Sequence, residues 1–413
     1  MSTQTGGVVD TDGDVLPADA VATLASVAGD AVPDTTEEPL GGNLLRDGSS
    51  VNRAERAADT AANRWNLIRV MPAKGGHMRS ARFYAPNEPL RLEDAPLPEL
   101  GADEVRVRVR AAGICGTELH FLQGLYPPAK IPMILGHEVA GEVEETGAAV
   151  EGFSPGDRVV VYYYLFCGRC RWCVRGLQNL CNAPRGLFAF VSDGGFAEYV
   201  TVPAHCLVRL PNNVSFERGA ALCCSATTAI HAAGVADLQP GETAVVYGAG
   251  GVGLSLIQVA SQHGARVVAI ARSEDKLDAA KGLGADHAVS PQDAGDAVTE
   301  LTEGQGADVV FELVGSNETM PNALSLLGKR GRLVFVGYTG APLEVSPLAL
   351  LVGEQQIRTS VGNTLAELEL AADLATRGLL NPVVAGAISL EEINDGLDRL
   401  RRGEVVGRLV VTP

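Results

Sequence analysis

Long apolar runs are missing from this chain. No run of about 18 apolar residues occurs, the length a membrane-crossing helix needs, so no membrane partner is expected. The N-terminus lacks a basic start followed by an apolar core, so no secretory signal is read and a cytoplasmic location is expected. Positive charge is also short. Lys and Arg number 33 against 50 Asp and Glu, a formal net charge of -17 with a sequence pI of about 4.9. Nucleic-acid binding needs a basic face, so no nucleic-acid partner is expected. Internal repeats are absent.

What remains is ordinary for a globular protein: 46 % hydrophobic residues in 413, enough for two domains with separate cores. Residues 1–77 differ from the rest. Up to Ser50 the chain is rich in Ala, Asp, Gly, Thr and Val, and Arg46 is its one basic residue. Such a stretch is expected to be disordered or loosely structured. Residues 51–66 suit one short helix, with Ala54, Ala58, Ala61 and Trp65 near one face. A partner-binding segment and an upstream stretch ahead of a natural start at Met78 are the other readings of this extension.

From Met78 the pattern is β-rich. Short strands are expected at 79–84 and 90–94. At 104–111, Val105, Val107 and Val109 alternate with Arg106, Arg108 and Arg110, the mark of a half-buried strand. Residues 136–144 and 157–164 continue it. Near Gly241 the pattern switches to strands at 243–247, 266–271, 308–314 and 332–337, with helices between them and around 276–281 and 319–327. Strands alternating with helices imply a doubly wound parallel sheet. A helix at 389–402 and a strand at 407–411 close the chain.

Eight cysteines in so large a chain suggest metal binding rather than disulfide staples. Cys167, Cys170, Cys173 and Cys181 are spaced C-x2-C-x2-C-x7-C, a closed four-thiolate set that suits a structural zinc. A redox-active pair is the weaker reading, because no thioredoxin-like context surrounds it. Cys115 and His137 stand apart and leave room for a further ligand and a substrate, as a catalytic site requires. Cys206 and Cys223 are read as small buried hydrophobes.

The strand at 243–247 runs into Gly248-Ala249-Gly250-Gly251-Val252-Gly253, and a helix pattern follows. This is the context a dinucleotide loop needs. Gly248 permits the turn, Gly250 lets amides approach a pyrophosphate, and Gly253 lets helix and strand pack closely. At the tip of the next strand the acid that would bind a ribose 2'-hydroxyl is missing. Ala271-Arg272-Ser273 stands there instead, so Arg272 and Ser273 favour a 2'-phosphate, while Glu274 and Asp275 nearby keep NAD open beside NADP.

Together, the Gly113-Ile114-Cys115-Gly116-Thr117-Glu118-Leu119-His120 run, Gly136-His137-Glu138, the four cysteines, Gly194-Gly195-Phe196-Ala197-Glu198-Tyr199, the glycine loop and Gly407-Arg408 form one pattern. From Met78 to Pro413 the chain resembles the zinc-dependent medium-chain alcohol dehydrogenases. The resemblance implies an α/β chain with a GroES-like β-rich catalytic domain at 78–230 and a Rossmann cofactor domain at 231–370. A return to the catalytic domain is expected at 371–413. It implies two zinc ions per chain, NADP or NAD as cofactor, an alcohol, aldehyde or ketone substrate, and a homodimer or homotetramer.

By resemblance Cys115 and His137 bind the catalytic zinc, and the third ligand is Cys224, with Cys223 as its rival. Glu138 lies near the metal, Thr117 hydrogen-bonds the reacting oxygen, and His120 takes the proton towards solvent, which suits a group that titrates near neutrality. Thr228 lies against the nicotinamide and Arg408 supplies charge to the phosphates. Two positions depart from the family. Glu118 stands where many members carry Asp, and Gly116 replaces a basic residue that contacts the pyrophosphate in some. Tyr162, Tyr163, Tyr164, Phe166 and residues 187–190 are expected to line an apolar pocket that favours aryl alcohols. Polyol, sugar or threonine-type dehydrogenases are the alternative within the family. Zinc-free reductases and a non-enzymatic zinc protein are the alternatives outside it.

Overall fold

Alternating valine and arginine at 104–110 produces the strand that the period-two pattern predicts. The computed structural model describes residues 76–413; residues 1–75 of the loose extension expected over 1–77, with the short helix over 51–66, lie outside the described residues, and His77 already opens strand His77–Phe83. Strand Glu104–Ile114 turns Val105, Val107 and Val109 into the core. Its arginines face outward and pair with the antiparallel strand Glu138–Thr146: Arg106 with Glu145, Arg108 with Glu144, Arg110 with Glu142. Exposed pairs of this kind contribute about 0–1 kcal/mol each, so the valine face does most to hold the strand.

This sheet runs in the order Leu207–Arg209, Arg158–Val161, Glu138–Thr146, Glu104–Ile114, Arg408–Thr412, Val384–Ser389, with Tyr199–Pro203 also paired to Glu104–Ile114. The C-terminal strand Arg408–Thr412 therefore returns to the first half of the protein, where Leu409 pairs with Ile114. That return brings Arg408 beside Cys115.

The second sheet has six parallel strands in the order His287–Val289, Arg266–Ile270, Thr243–Tyr247, Ala307–Glu312, Leu327–Phe335, Gln356–Thr359. Strand Thr243–Tyr247 is buried along its whole length, as a central parallel strand covered on both faces must be. The strands and helices expected from the sequence are present within a few residues. Helices Ala294–Leu301, Pro347–Gly353 and Leu365–Thr376 and the edge strand Gln356–Thr359 were not expected.

A further unexpected element joins the two sheets. Helix Phe216–Ala221 runs through a π-helical turn, Leu222–Ala226, into helix Thr227–Ala236. This stretch is long and apolar enough to cross a membrane, but 83 % of its most apolar window is buried, so it is a core helix. Small residues, Ala220, Ala221, Ala226, Ala229, Ala232 and Ala233, let the strands and helices around it approach closely.

Candidate active site

Three backbone segments bring the first cluster together. Cys115 caps the short helix Gly116–Leu122, His137 precedes strand Glu138–Thr146, and Cys224 sits in the π-helical turn. The ligand atoms of Cys115, His137, Glu138 and Cys224 all lie within 4.8 Å of one another, and all four residues are buried. Cys223 points elsewhere: its thiol donates to the carbonyls of Val139 at 3.3 Å and Gly219 at 3.4 Å. Burial pushes the Cys223 and Cys206 thiols up to about 12, which keeps both protonated.

Glu118 organises the cluster. One carboxylate oxygen accepts from the Cys115 backbone N–H at 2.8 Å, and the other lies 2.8 Å from His137 Nδ1. A carboxylate accepts, so Nδ1 carries the proton and Nε2 is the ring nitrogen turned towards the cysteines, the one a metal would take. Burial alone would lower the His137 pKa, but Glu118 and Cys115 together raise it overall. The hydrogen bond with Cys224, with help from Arg408 and His137, holds the Cys115 thiol well below its ordinary value. Two buried sulfurs and one imidazole nitrogen form a donor set that suits zinc and leaves a position open.

Glu138 is fully buried, and its carboxylate oxygens lack a hydrogen bond of good geometry. One oxygen lies 2.9 Å from Arg408 Nη2 and 4.0 Å from His137 Nε2. Burial pushes its carboxyl up to about 8 against the pull of Arg408. A side chain at Gly113 would collide with this carboxylate, which explains the glycine. Arg408 is itself only 4 % exposed, donates to the Ile114 carbonyl at 3.3 Å, and packs on Gly251.

Gly251 opens helix Gly251–Gln262. In the preceding loop Gly248 has φ +114°, and a Cβ at Gly253 would strike the Gly248 carbonyl. A Cβ at Gly250 would meet nothing within 4 Å, so the loop is open on that side, while Arg408 packs at the next residue, Gly251. At the tip of Arg266–Ile270, Arg272 is exposed, and Ser273 starts helix Glu274–Gly282 without using its hydroxyl as a cap. Lys276, which sequence reading missed, is close enough to Arg272 for the two charges to lower its pKa, after the larger effect of burial. Its amine donates to the Gly403 carbonyl at 3.0 Å.

Beside the first cluster, Thr117 Oγ1 is 3.7 Å from Cys115 Sγ, and Thr228 Oγ1 is 3.8 Å from Cys224 Sγ. His120 is half-buried, and desolvation lowers its pKa. The expected pocket lining needs correction. Tyr162 is buried in the core with its hydroxyl donating to the Asn363 carbonyl at 2.5 Å, and Phe166 packs on His205 at 4.7 Å between centroids. Phe188 is also core. Tyr163 does face the site, its ring 5.1 Å from that of His137, and Tyr164 stacks on Tyr163 at 4.6 Å. Phe190 packs against Tyr126 at 5.5 Å. Tyr126 and Tyr338 line the site and had no sequence signal, because each belongs to a loop without a motif.

The second cluster contains the four remaining predicted ligands. Neighbouring sulfurs lie 3.5 Å (Cys170 and Cys173), 3.9 Å (Cys167 and Cys173) and 4.0 Å (Cys170 and Cys181) apart, and none is in a disulfide. Four thiolates around one zinc stand about 3.8 Å apart at ordinary Zn–S distances, so this cluster has the right size.

Residues 101–212 match the family described as alcohol dehydrogenase GroES-like domain, and residues 251–377 match zinc-binding dehydrogenase. An NAD-dependent alcohol dehydrogenase of Sulfurisphaera tokodaii is 37 % identical over 349 residues, covering 81 % of this chain and 100 % of that protein. A sorbitol dehydrogenase of Halalkalibacterium halodurans is 33 % identical, covering 78 % of this chain and 95 % of its own. Among solved structures, a cobalt- and zinc-bound thermostable alcohol dehydrogenase from Pyrobaculum aerophilum superposes with a TM-score of 0.76 at 33 % identity, covering 82 % of this chain and 100 % of that one.

Proposed function

Because this chain belongs to the zinc-dependent medium-chain alcohol dehydrogenase family, we propose that Cys115, His137 and Cys224 hold its catalytic zinc and Cys167, Cys170, Cys173 and Cys181 a structural one. The protein is an oxidoreductase that moves a hydride between an alcohol, or its aldehyde or ketone, and a nicotinamide cofactor. The observation that carries the site assignment is the convergence of two buried sulfurs and an imidazole nitrogen beside Thr117.

When bound, the zinc supplies Lewis acidity and the nicotinamide supplies the hydride carrier. The chain's own residues do the rest. Glu118 fixes the His137 tautomer and the Cys115 backbone with one carboxylate. Thr117 Oγ1 receives the alcohol proton, and His120, kept neutral by desolvation, passes it to solvent. Glu138 and Arg408 balance charge beneath the site, and Thr228, beside Cys224, would lie against the nicotinamide. The open face at Gly250, with Gly248, Gly251, Val252 and Gly253, takes the pyrophosphate.

At the ribose end, Arg272, Ser273 and Lys276 offer two cations and a free hydroxyl. We read this as a preference for the 2'-phosphate of NADP. Aromatic rings make up much of the wall, which favours aryl and allylic alcohols over polyols. The sorbitol dehydrogenase relative favours the polyol reading, and a substrate panel separates the two. A homodimer fits the edge strand Gln356–Thr359 and the adjoining helix Pro347–Gly353, whose Leu348, Leu351 and Val352 are 69, 72 and 73 % exposed. Free cysteines in metal-ligand spacing suit the cytoplasm.

The test is steady-state oxidation of benzyl alcohol, allyl alcohol, ethanol, sorbitol and threonine with NAD and NADP on protein of known zinc content. Chelator-sensitive turnover fastest on the aryl alcohol is expected. Sorbitol or threonine turning over fastest would overturn the pocket reading.

A further inference from the structure

Tyr338 follows strand Leu327–Phe335 in the parallel-sheet half, yet its ring lies 5.0 Å from that of His120 at 34°. Its hydroxyl lies in the neighbourhood of the Thr117 and Tyr126 hydroxyls. Tyr126, from the loop after helix Gly116–Leu122, meets Tyr338 edge-to-face at 5.8 Å and His120 at 6.2 Å. One side chain from the parallel-sheet half thus packs on His120 and comes near Thr117.

The backbone beneath Tyr338 is unusually determined for a loop residue that is 40 % exposed. Glu312, buried at the end of its strand, accepts from the N–H of Gly315 at 2.8 Å and from the Thr319 hydroxyl at 2.7 Å. The Gly315 carbonyl accepts from the Thr339 hydroxyl at 2.6 Å. The N–H groups of Val336 and Gly337 both donate to the Glu312 carbonyl at 2.9 Å. A Cβ on Gly315 would collide with the Tyr338 backbone, and one on Gly337 with Leu313. Close backbone approach and a chain of hydrogen bonds therefore fix where the Tyr338 ring can reach. A residue that merely lines a wall needs no such anchoring.

We propose that Tyr338 is a positioning residue for the Thr117–His120 relay, delivered across the cleft and steadied by Tyr126. The proposal rests on the relay assignment given above. The phenol hydroxyl engages Thr117 Oγ1 and limits its rotation, and the ring restricts the His120 imidazole. Both relay groups are then oriented before substrate arrives, which removes ordering from the reaction step. No bond is made or broken at Tyr338.

The experiment compares wild type with Tyr338→Phe, Tyr338→Leu, Tyr126→Phe and the double Tyr126→Phe/Tyr338→Phe, zinc-loaded, with benzyl alcohol as substrate. Tyr338→Phe keeps the ring and removes the hydroxyl proposed to engage Thr117. It should lower kcat about fivefold with KM nearly unchanged. Tyr126→Phe should lower it less, and the double variant should match Tyr338→Phe, because both act through one hydroxyl. A readout without turnover is the His120 Cε1 proton resonance. It should lose its ring-current shift in Tyr338→Leu and keep it in Tyr338→Phe. Wild-type kcat in Tyr338→Phe, a change in KM alone, or an unmoved His120 resonance in Tyr338→Leu would each overturn the proposal. Absence of alcohol turnover in wild type would instead sink the enzymatic reading, and the resonance would still decide whether Tyr338 positions His120.

Discussion

Cys223 and Cys224 are adjacent in sequence and send their sulfurs into different parts of the protein, one to the Val139 and Gly219 carbonyls and the other to Cys115 and His137. The π-helical turn Leu222–Ala226 sets the phase that turns Cys224 into the cleft, in keeping with the concentration of such turns at functional sites. Replacing Cys224 with Ala should remove one zinc per chain and lower kcat/KM more than about 100-fold, beyond the loss typical of a group that only supports a ligand. Replacing Cys223 with Ala should leave both zinc ions and cost about 1 kcal/mol of stability. Metal analysis and thermal unfolding of the two variants check this.

Glu118 holds Cys115 through its backbone and His137 through Nδ1. Glu118→Ala should weaken zinc at the catalytic site about 10–100-fold and leave the four-cysteine site alone. Glu118→Asp should lie between the two, since a shorter side chain reaches one partner more easily than both. Competition with a chromophoric chelator measures each site.

Much of this was legible in the sequence because it is local. The glycine loop, the four cysteines and the Cys115 and His137 segments each carry their meaning within a few residues. The parallel sheet was legible because its strands are continuous apolar runs. The long junction helix was not, because Ala, Cys, Thr and Gly give it little amphipathic contrast. The Glu138–Arg408 pair spans 270 positions, and the aromatic wall at Tyr126 and Tyr338 joins two loops. Neither leaves a periodic mark. The Tyr162 and Phe166 expectation failed because the aromatic run packs ring on ring into one cluster, with Tyr163 beside His137 and Tyr162 and Phe166 behind it in the core.

His120 supplies a pH test with a definite sign. Burial lowers its pKa below the ordinary 6.5, while Cys115 and Glu118 oppose the shift. It is therefore neutral and able to accept a proton down to a pH below 6.5. The acid limb of kcat for alcohol oxidation should lie below that value, and His120→Gln should remove the limb and lower kcat. The same shift makes the unfolded chain take up the proton first. The stability His120 contributes is present above the ordinary value and is lost as pH falls towards the folded one. A kcat–pH profile of both proteins checks the first statement, and unfolding at several pH values checks the second.

The four-cysteine lobe is fastened to helix Thr227–Ala236 and to the 361–367 segment. Asn179 donates to the Val361 carbonyl at 2.8 Å and lies 3.5 Å from His231 Nε2, and His231 Nδ1 is 2.9 Å from Glu367. Asn363 donates to the Cys223 carbonyl at 3.3 Å. Cys170→Ser should lose the structural zinc and lower amide protection over 361–367 as well as in the lobe. Asn179→Ala should keep both zinc ions and loosen 361–367 alone, at a cost of about 1–2 kcal/mol. Hydrogen exchange read by mass spectrometry distinguishes these outcomes.

Cofactor choice turns on charge at one strand tip. A 2'-phosphate carries about two negative charges near neutral pH, and Arg272 and Lys276 place two cations near it, with the Ser273 hydroxyl unused by the backbone. Lys276 is partly committed to the Gly403 carbonyl, so Arg272 should carry most of the discrimination. Arg272→Ala should lower kcat/KM with NADP about tenfold or more and leave the value with NAD within about twofold, because charge-assisted bonds to phosphate contribute about 1.5–3 kcal/mol. Ala271→Asp should act in the opposite direction. It adds an acceptor for the ribose hydroxyls of NAD and repels a phosphate. The wild-type ratio decides the reading first. A strong NAD preference that Arg272→Ala leaves unchanged would mean that Arg272 points to solvent and Ala271 is simply a tolerated gap.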